Sequence, residues 1–186
     1  EQKGNPKPRI FKYDDKIVNH CGLNNHGTLE VRDRIIDNID IPYDTQLLCD
    51  NIDKLYALER KKSNTVLGIS IAPNNNSHNP ILDYCNTWSN IKYYGNYFVI
   101  NISCPNVNHK KYNVDEIIGY IRQFCNKPLL VKLSPDLKDS EYIKLSKICL
   151  KNNIDGIILT NTMKVKEGGE SGSQKLYEKS NQVLSL

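Results

Sequence analysis

A parallel α/β architecture, folded toward a (β/α)8 barrel, is what the order of apolar segments in this chain predicts. Three observations point there. Four apolar, β-rich runs cover residues 66–72, 97–102, 128–133 and 154–160, and their starts lie about 31, 31 and 26 residues apart, near the length of one strand–helix unit. Segments with helical periodicity fill the gaps. Every run also hands over to polar residues at its C-terminal end.

Along the chain, the first expected strand is a short segment near Ile17-Val18. Residues 28–39 and 45–60 read as two helices separated by Ile41-Pro42, since proline lacks the N–H that a continuing helix needs. Residues 80–93 form a weaker helix containing Trp88. Residues 114–125 carry Ile117, Ile118, Ile121 and Phe124 on one face, with Asn113 as N-cap. Residues 140–150 carry Ile143, Leu145, Ile148 and Leu150, capped by Asp139 or Ser140.

Strand–helix–strand repetition implies a parallel sheet with helices outside, and strands apolar throughout imply that both faces are covered. A doubly wound sheet and a barrel both satisfy this. The barrel is preferred because every strand end contributes polar groups, whereas a doubly wound sheet concentrates them at one switch point. Ser70 and residues 74–76 follow the first run, and residues 101–106 the second. Lys132, Ser134 and Asp136 follow the third, and Thr160, Asn161 and Thr162 the fourth. Four units do not close a barrel of about 250 residues, so strands are expected to be missing at one or both ends.

The chain has 186 residues, is 39% hydrophobic and 25% charged, and so reads as globular. Its 25 basic and 21 acidic residues leave a scattered excess of +4, which does not indicate nucleic acid as a partner. Six cysteines show no zinc or redox spacing, implying a reducing compartment without disulfides. No apolar run is long enough to span a bilayer. The sequence begins with Glu1 and its single methionine is Met163, so it reads as a processed or cropped piece with any membrane-associating segment outside it.

The most informative stretch is 96–106, NYFVINISCPN, where a buried-strand pattern ends in Asn101, Ser103, Cys104 and Asn106. A thiolate is a nucleophile or a general base. His20, His26, His78 and His109 are scattered and give Cys104 no clear partner, and no metal-ligand spacing is present. Lys132 lies inside the apolar run LLVKL. It either snorkels out of the strand end or answers an anion beside an electron-accepting cofactor. Thr160-Asn161-Thr162 is either a capping turn or a reader of a small polar ligand. Gly168-Gly169-Glu170-Ser171-Gly172 reads as a glycine-rich loop, flexible or closely approached by a ligand.

Six segments, in order, resemble one family. They are GNPKPRIF at 4–11, NHCGLNNHG at 19–27, NISCPN at 101–106, VKLSPDL at 131–137, IDGIILTNT at 154–162 and GGESG at 168–172. Together they resemble the dihydroorotate dehydrogenases, flavin enzymes of pyrimidine synthesis built as (β/α)8 barrels. The resemblance implies FMN as cofactor, touched by Ser70, Asn101, Lys132, Thr160 and Gly172. It implies dihydroorotate or orotate held by Asn19, Asn101, Asn106, Asn161 and Thr162, with Gly22 and Leu23 lining the pocket. It gives Cys104 the role of base removing the C5 proton while hydride passes from C6 to the flavin, and Lys132 that of stabilising the reduced flavin. A tRNA-dihydrouridine synthase-like flavin enzyme and a non-catalytic barrel remnant are the competing readings. The segments PRIF, NNHG and IDGIILTNT are similar to the quinone-using, membrane-linked class, while a cysteine base is the choice of the soluble classes. The expected acceptor is therefore quinone, with fumarate or NAD as alternatives. The expected location is the mitochondrial inner membrane, with the cytoplasm as alternative. The family's glycine-leucine-arginine turn after the catalytic strand reads instead Val107-Asn108-His109-Lys110-Lys111.

Overall fold

A computed structural model describes residues 2–38, 65–74, 77–103 and 113–186. The helix expected over 45–60, Cys49, Cys104, Asn106 and the 107–111 turn lie outside the described residues. The first described elements are β1 (Ile10–Lys12), β2 (Ile17–Asn19), α1 (Thr28–Asp37) and β3 (Gly68–Ile71). Next come α2 (Pro80–Ile91), β4 (Tyr97–Asn101), α3 (Val114–Phe124) and β5 (Leu129–Lys132). The last are α4 (Asp139–Lys151), β6 (Gly156–Ile158), β7 (Met163–Val165), β8 (Gly168–Ser171) and α5 (Gln174–Leu184).

The four apolar runs form one parallel sheet in the order β3-β4-β5-β6. Each strand lies beside its neighbour in sequence, with no reversal of direction. That is the winding of a barrel wall; a doubly wound sheet reverses at its switch point. Ile69, Ile71, Phe98, Ile100, Leu129 and Val131 share one face and are all buried under helices. Trp88 of α2 meets Phe98 edge-on at a centroid distance of 4.8 Å, and Ile117, Ile118 and Ile121 of α3 fill the same core. Burying each such side chain stabilises the fold by about 1.5–3 kcal/mol.

The opposite face departs from the expectation of full cover. Among the described residues it carries Ser70, exposed, with Leu130, Asn101 and Lys132 half-buried. An alternating pattern was masked in the sequence because Val99 and Leu130 on this face are as apolar as their neighbours.

The helices also differ in detail. Asn79 and Asn113 cap α2 and α3, accepting from Leu82 N–H and Asp115 N–H at 3.1 Å each. The α4 cap position is Lys138 and not Asp139 or Ser140; the Glu141 carboxylate accepts from the Lys138 N–H at 2.8 Å. The inward residues of α4 are Tyr142 and Cys149, while Leu150 is 77% exposed and Ile143 45%. Phe124 is likewise exposed, because α3 turns only its three isoleucines fully inward.

A second sheet was not foreseen. Strands β1-β2-β8-β7 pair antiparallel in that order. The segment near Ile17-Val18 belongs to this sheet and is not a barrel strand. The glycine-rich segment is strand β8, whose buried Glu170 pairs with Lys16 at 2.9 Å and accepts from the Ser173 hydroxyl at 2.6 Å. These contacts hold the Glu170 carboxyl below its ordinary range, the Ser173 hydroxyl being the larger cause. Ser173 also caps α5, accepting from Leu176 N–H. Because β7 directly follows the end of β6, this sheet stands over the C-terminal mouth of the parallel one. Lys164 N–H fastens it there by donating to the Asp136 carboxylate after β5.

Candidate functional site

The mouth begins with three strand ends in register. Asn101 of β4 pairs with Lys132 of β5, which pairs with Ile158 of β6. The parallel ladder therefore sets the amide and the ammonium side by side on one face. The buried Tyr84 hydroxyl of α2 donates to the Asn101 carbonyl at 2.8 Å and anchors this strand end.

From Asn101 a continuous line of polar groups runs across the mouth. Asn101 Oδ1 accepts from both the Ser103 N–H, at 3.2 Å, and the Ser103 hydroxyl, at 2.5 Å. Asn161 Nδ2 donates to the same hydroxyl at 2.7 Å, and Asn161 Oδ1 accepts from Thr162 N–H at 2.9 Å. Backbone fixes Asn161 as well, since its N–H donates to the Leu133 carbonyl at 2.9 Å. The Thr162 hydroxyl lies against Gly169, where any Cβ would collide with it. Asn19 Nδ2 completes the line, donating to the Gly169 carbonyl at 3.1 Å. Sequence-distant segments thus meet: β2, the end of β4, the end of β6 and β8.

Lys132 stands apart from this line in one respect. Among the described residues its ammonium makes no hydrogen bond and no ion pair, although the side chain is half-buried. A half-buried lysine with no anion beside it either carries its ammonium out to water or meets an anion that a ligand supplies. Among the described residues no group of three His, Cys, Asp or Glu side chains is placed to hold a metal ion.

The remaining sequence-derived residues fall around this centre. Gly22 and Leu23 form a left-handed turn with φ of 71° and 55°. A Cβ at Gly22 would crowd Asn5, so the segments GNPKPRIF and NHCGLNNHG interlock; Asn5 Nδ2 donates to the His20 carbonyl at 3.1 Å. Ser70 shares the open sheet face with Asn101 and Lys132, one strand further out. The Thr160 hydroxyl is 3.0 Å from that of Ser180 on α5. Gly172 follows β8 on the side of Lys16, three residues past Gly169, and makes no described contact with the polar line. Cys104 and Asn106 lie outside the described residues. Tyr84 was not singled out from sequence, Gly169 was read only as part of the glycine-rich segment, and Ser103 only as one of a polar group. Its signal was the Asn-x-Ser spacing at the strand end, which lets a hydroxyl return to the amide two residues before it.

Residues 1–181 match the family model described as dihydroorotate dehydrogenase. A protein named dihydroorotate dehydrogenase (quinone) from Buchnera aphidicola subsp. Schizaphis graminum is 31% identical over 100% of this chain and 56% of its own length. The protein from Arabidopsis thaliana named dihydroorotate dehydrogenase (quinone), mitochondrial, is 27% identical over 87% of this chain and 39% of its own length. The chain spans about half the length of the curated relatives it matches. Among solved structures, ligand-free DHODH from Eimeria tenella superposes with a TM-score of 0.70 at 24% identity, covering 96% of this chain and 59% of that one. The same enzyme in complex with ferulenol gives a TM-score of 0.68 at 23% identity, over 99% and 57%. The fold is thus that of a TIM barrel, represented here by four wall strands and the antiparallel sheet over their mouth. Motif order, winding and family match agree, and the chain belongs to the dihydroorotate dehydrogenase family.

Proposed function

We propose that this chain carries the substrate-facing part of an FMN-dependent enzyme that oxidises dihydroorotate to orotate in de novo pyrimidine biosynthesis. The supporting observation is the amide–hydroxyl line from Asn19 to Asn101, ending beside Lys132, which has no partner among the described residues. In this reading residues 1–186 are part of an FMN-binding barrel domain.

The residues present fit a flavin. The open face beside Lys132 is built of Val99, Leu130 and Ile158, an apolar floor next to a cation. Ser70, Asn101, Lys132, Thr160 and Gly172 would hold the group. Bound FMN would supply the two-electron acceptor. The chain's own groups do the rest. Asn19, Asn101, Asn106, Asn161 and Thr162 hold the pyrimidine carbonyls and carboxylate, with Gly22 and Leu23 beside them. Cys104 takes the C5 proton, a role typically worth about 10²–10⁴ in rate. Lys132 keeps a positive charge where negative charge accumulates. Quinone is the acceptor that the relatives' names favour over fumarate or NAD. The proposed location is the mitochondrial inner membrane, with the cytoplasm as the alternative; the name of the Arabidopsis relative supports the mitochondrion. Among the described residues no helix is long and apolar enough to cross a membrane.

The test is anaerobic mixing of the FMN-loaded protein with dihydroorotate. Bleaching of the flavin is expected. Bound FMN that dihydroorotate leaves oxidised would sink the proposal and leave a non-catalytic barrel piece. Cys104→Ala should abolish bleaching with FMN retained, and Cys104→Ser should shift the pH profile because hydroxyl and thiol ionise differently.

A further inference from the structure

Resting on the reading above, we infer that Ser103 is a positioning residue that locks Asn101 and Asn161 with their amide donors available to the ligand. The logic follows from groups that can only donate. Ser103 N–H must meet an acceptor, so the Asn101 atom 3.2 Å away is Oδ1. Thr162 N–H must also meet an acceptor, so the Asn161 atom 2.9 Å away is Oδ1. The other end of the Asn161 amide is then Nδ2, and it reaches the Ser103 hydroxyl at 2.7 Å. A hydroxyl that accepts from Asn161 has its proton left for Asn101 Oδ1, at 2.5 Å. Ser103 is 2% exposed, so no water competes for this proton.

The consequence is a fixed polarity. Both N–H groups of Asn101 Nδ2 and one of Asn161 Nδ2 have no partner among the described residues. With the Lys132 ammonium in register beside Asn101, this part of the mouth presents donors. It selects a ligand whose facing atoms accept, a carboxylate or ring carbonyl. A ligand turning an amino group there meets donor against donor. Without the serine hydroxyl each amide keeps only its backbone donor, Ser103 N–H for Asn101 and Thr162 N–H for Asn161, and loses one of the two contacts that fix it, so the discrimination weakens.

The deciding measurement is hydrogen exchange of asparagine side-chain amides by NMR in the 15N-labelled chain, joined to calorimetric titration of the FMN-loaded protein with orotate. In the wild type, one Asn161 Nδ2 proton should exchange more slowly than its geminal partner. Ser103→Ala should equalise the two and weaken orotate binding about ten- to a hundredfold, while Ser103→Thr, which keeps the hydroxyl, should restore both. Unchanged exchange or unchanged orotate affinity in Ser103→Ala overturns the inference. Should that variant not fold, the wild type decides: two Asn161 protons exchanging alike, at the rate of an exposed amide, overturn it. Absence of orotate binding to the loaded wild type instead rejects the proposed function, and the exchange data still judge the lock.

Discussion

The two ends of the parallel sheet handle charge in opposite ways. At the N-terminal end three charges, on Arg122, Asp155 and Lys127, are answered. The Arg122 guanidinium meets Asp155 at 2.8 Å and also donates to the Cys125 carbonyl. Asp155 in turn accepts from Leu129 N–H at 2.8 Å. The Lys127 ammonium donates to the carbonyls of Lys92, Tyr93 and Gly95, tying off the end of α2. At the C-terminal end the polar groups are mainly amides and hydroxyls linked in a line, and Lys132 is left unanswered among the described residues. Two lysines separated by one strand's length thus serve different ends. A saturated cation holds structure; in the function proposed above the unsaturated one faces the ligand, at the end of the strands where such barrels carry their sites.

The sharpest way to break this contrast is to exchange the fates of the two lysines. Lys132→Ala should slow flavin reduction by about 10²–10³, the cost of removing one electrostatic stabiliser, with no loss of thermal stability. Stopped-flow reduction and a melting curve on one sample check both halves. Lys127→Ala should do the reverse, lowering unfolding free energy by about 2–3 kcal/mol because three carbonyls lose a charged donor, with the reduction rate per folded molecule unchanged. Denaturant titration measures it. If Lys132→Ala melts the protein and Lys127→Ala slows reduction, the contrast is wrong.

A smaller effect concerns acid. The Leu129 N–H first, and then Arg122, hold the Asp155 carboxyl below its ordinary value of 3.8. A carboxylate depressed in the folded state contributes stability that is complete above the ordinary value and disappears as pH falls through the depressed one. The melting temperature of the wild type should therefore drop below about pH 4 more steeply than that of Asp155→Asn. Parallel pH curves would remove Asp155 from the account. The smallest effect is chemical. Burial pushes the Cys149 thiol up to about 11, so iodoacetamide at pH 8 should label it only after denaturation, as peptide mass mapping would reveal.

Much of the barrel wall was legible because its strands are continuous apolar runs, and a run such as PLLVKL, bounded by Lys127 and Ser134, has few other uses. The site residues on those strands were legible for the same reason: Asn101, Lys132 and Asn161 interrupt an apolar pattern. The antiparallel sheet was not. Strands β1, β7 and β8 have three or four residues, and β8 reads Gly-Gly-Glu-Ser. Glu170 looks like a loop residue until Lys16 and Ser173, distant or unremarkable in sequence, answer its charge. Helix α5 carried a readable cap in Ser173, yet only Val183 on it is buried, so its apolar stripe is faint. For α4 the outward Leu150 and Ile143 misled, because Tyr142 spends its ring inward and its hydroxyl on the Ser134 carbonyl at 2.7 Å.

The ladder between β2 and β8 joins Asn19 to Gly169, 150 residues later. During synthesis the first hairpin therefore leaves the ribosome long before its partner exists. Wall strands and their helices can assemble as they emerge, through contacts close in sequence, whereas closing so long a loop is slow. The mouth cannot close until residue 169 has emerged, and a nascent chain stalled short of it would own a wall with nothing standing over it.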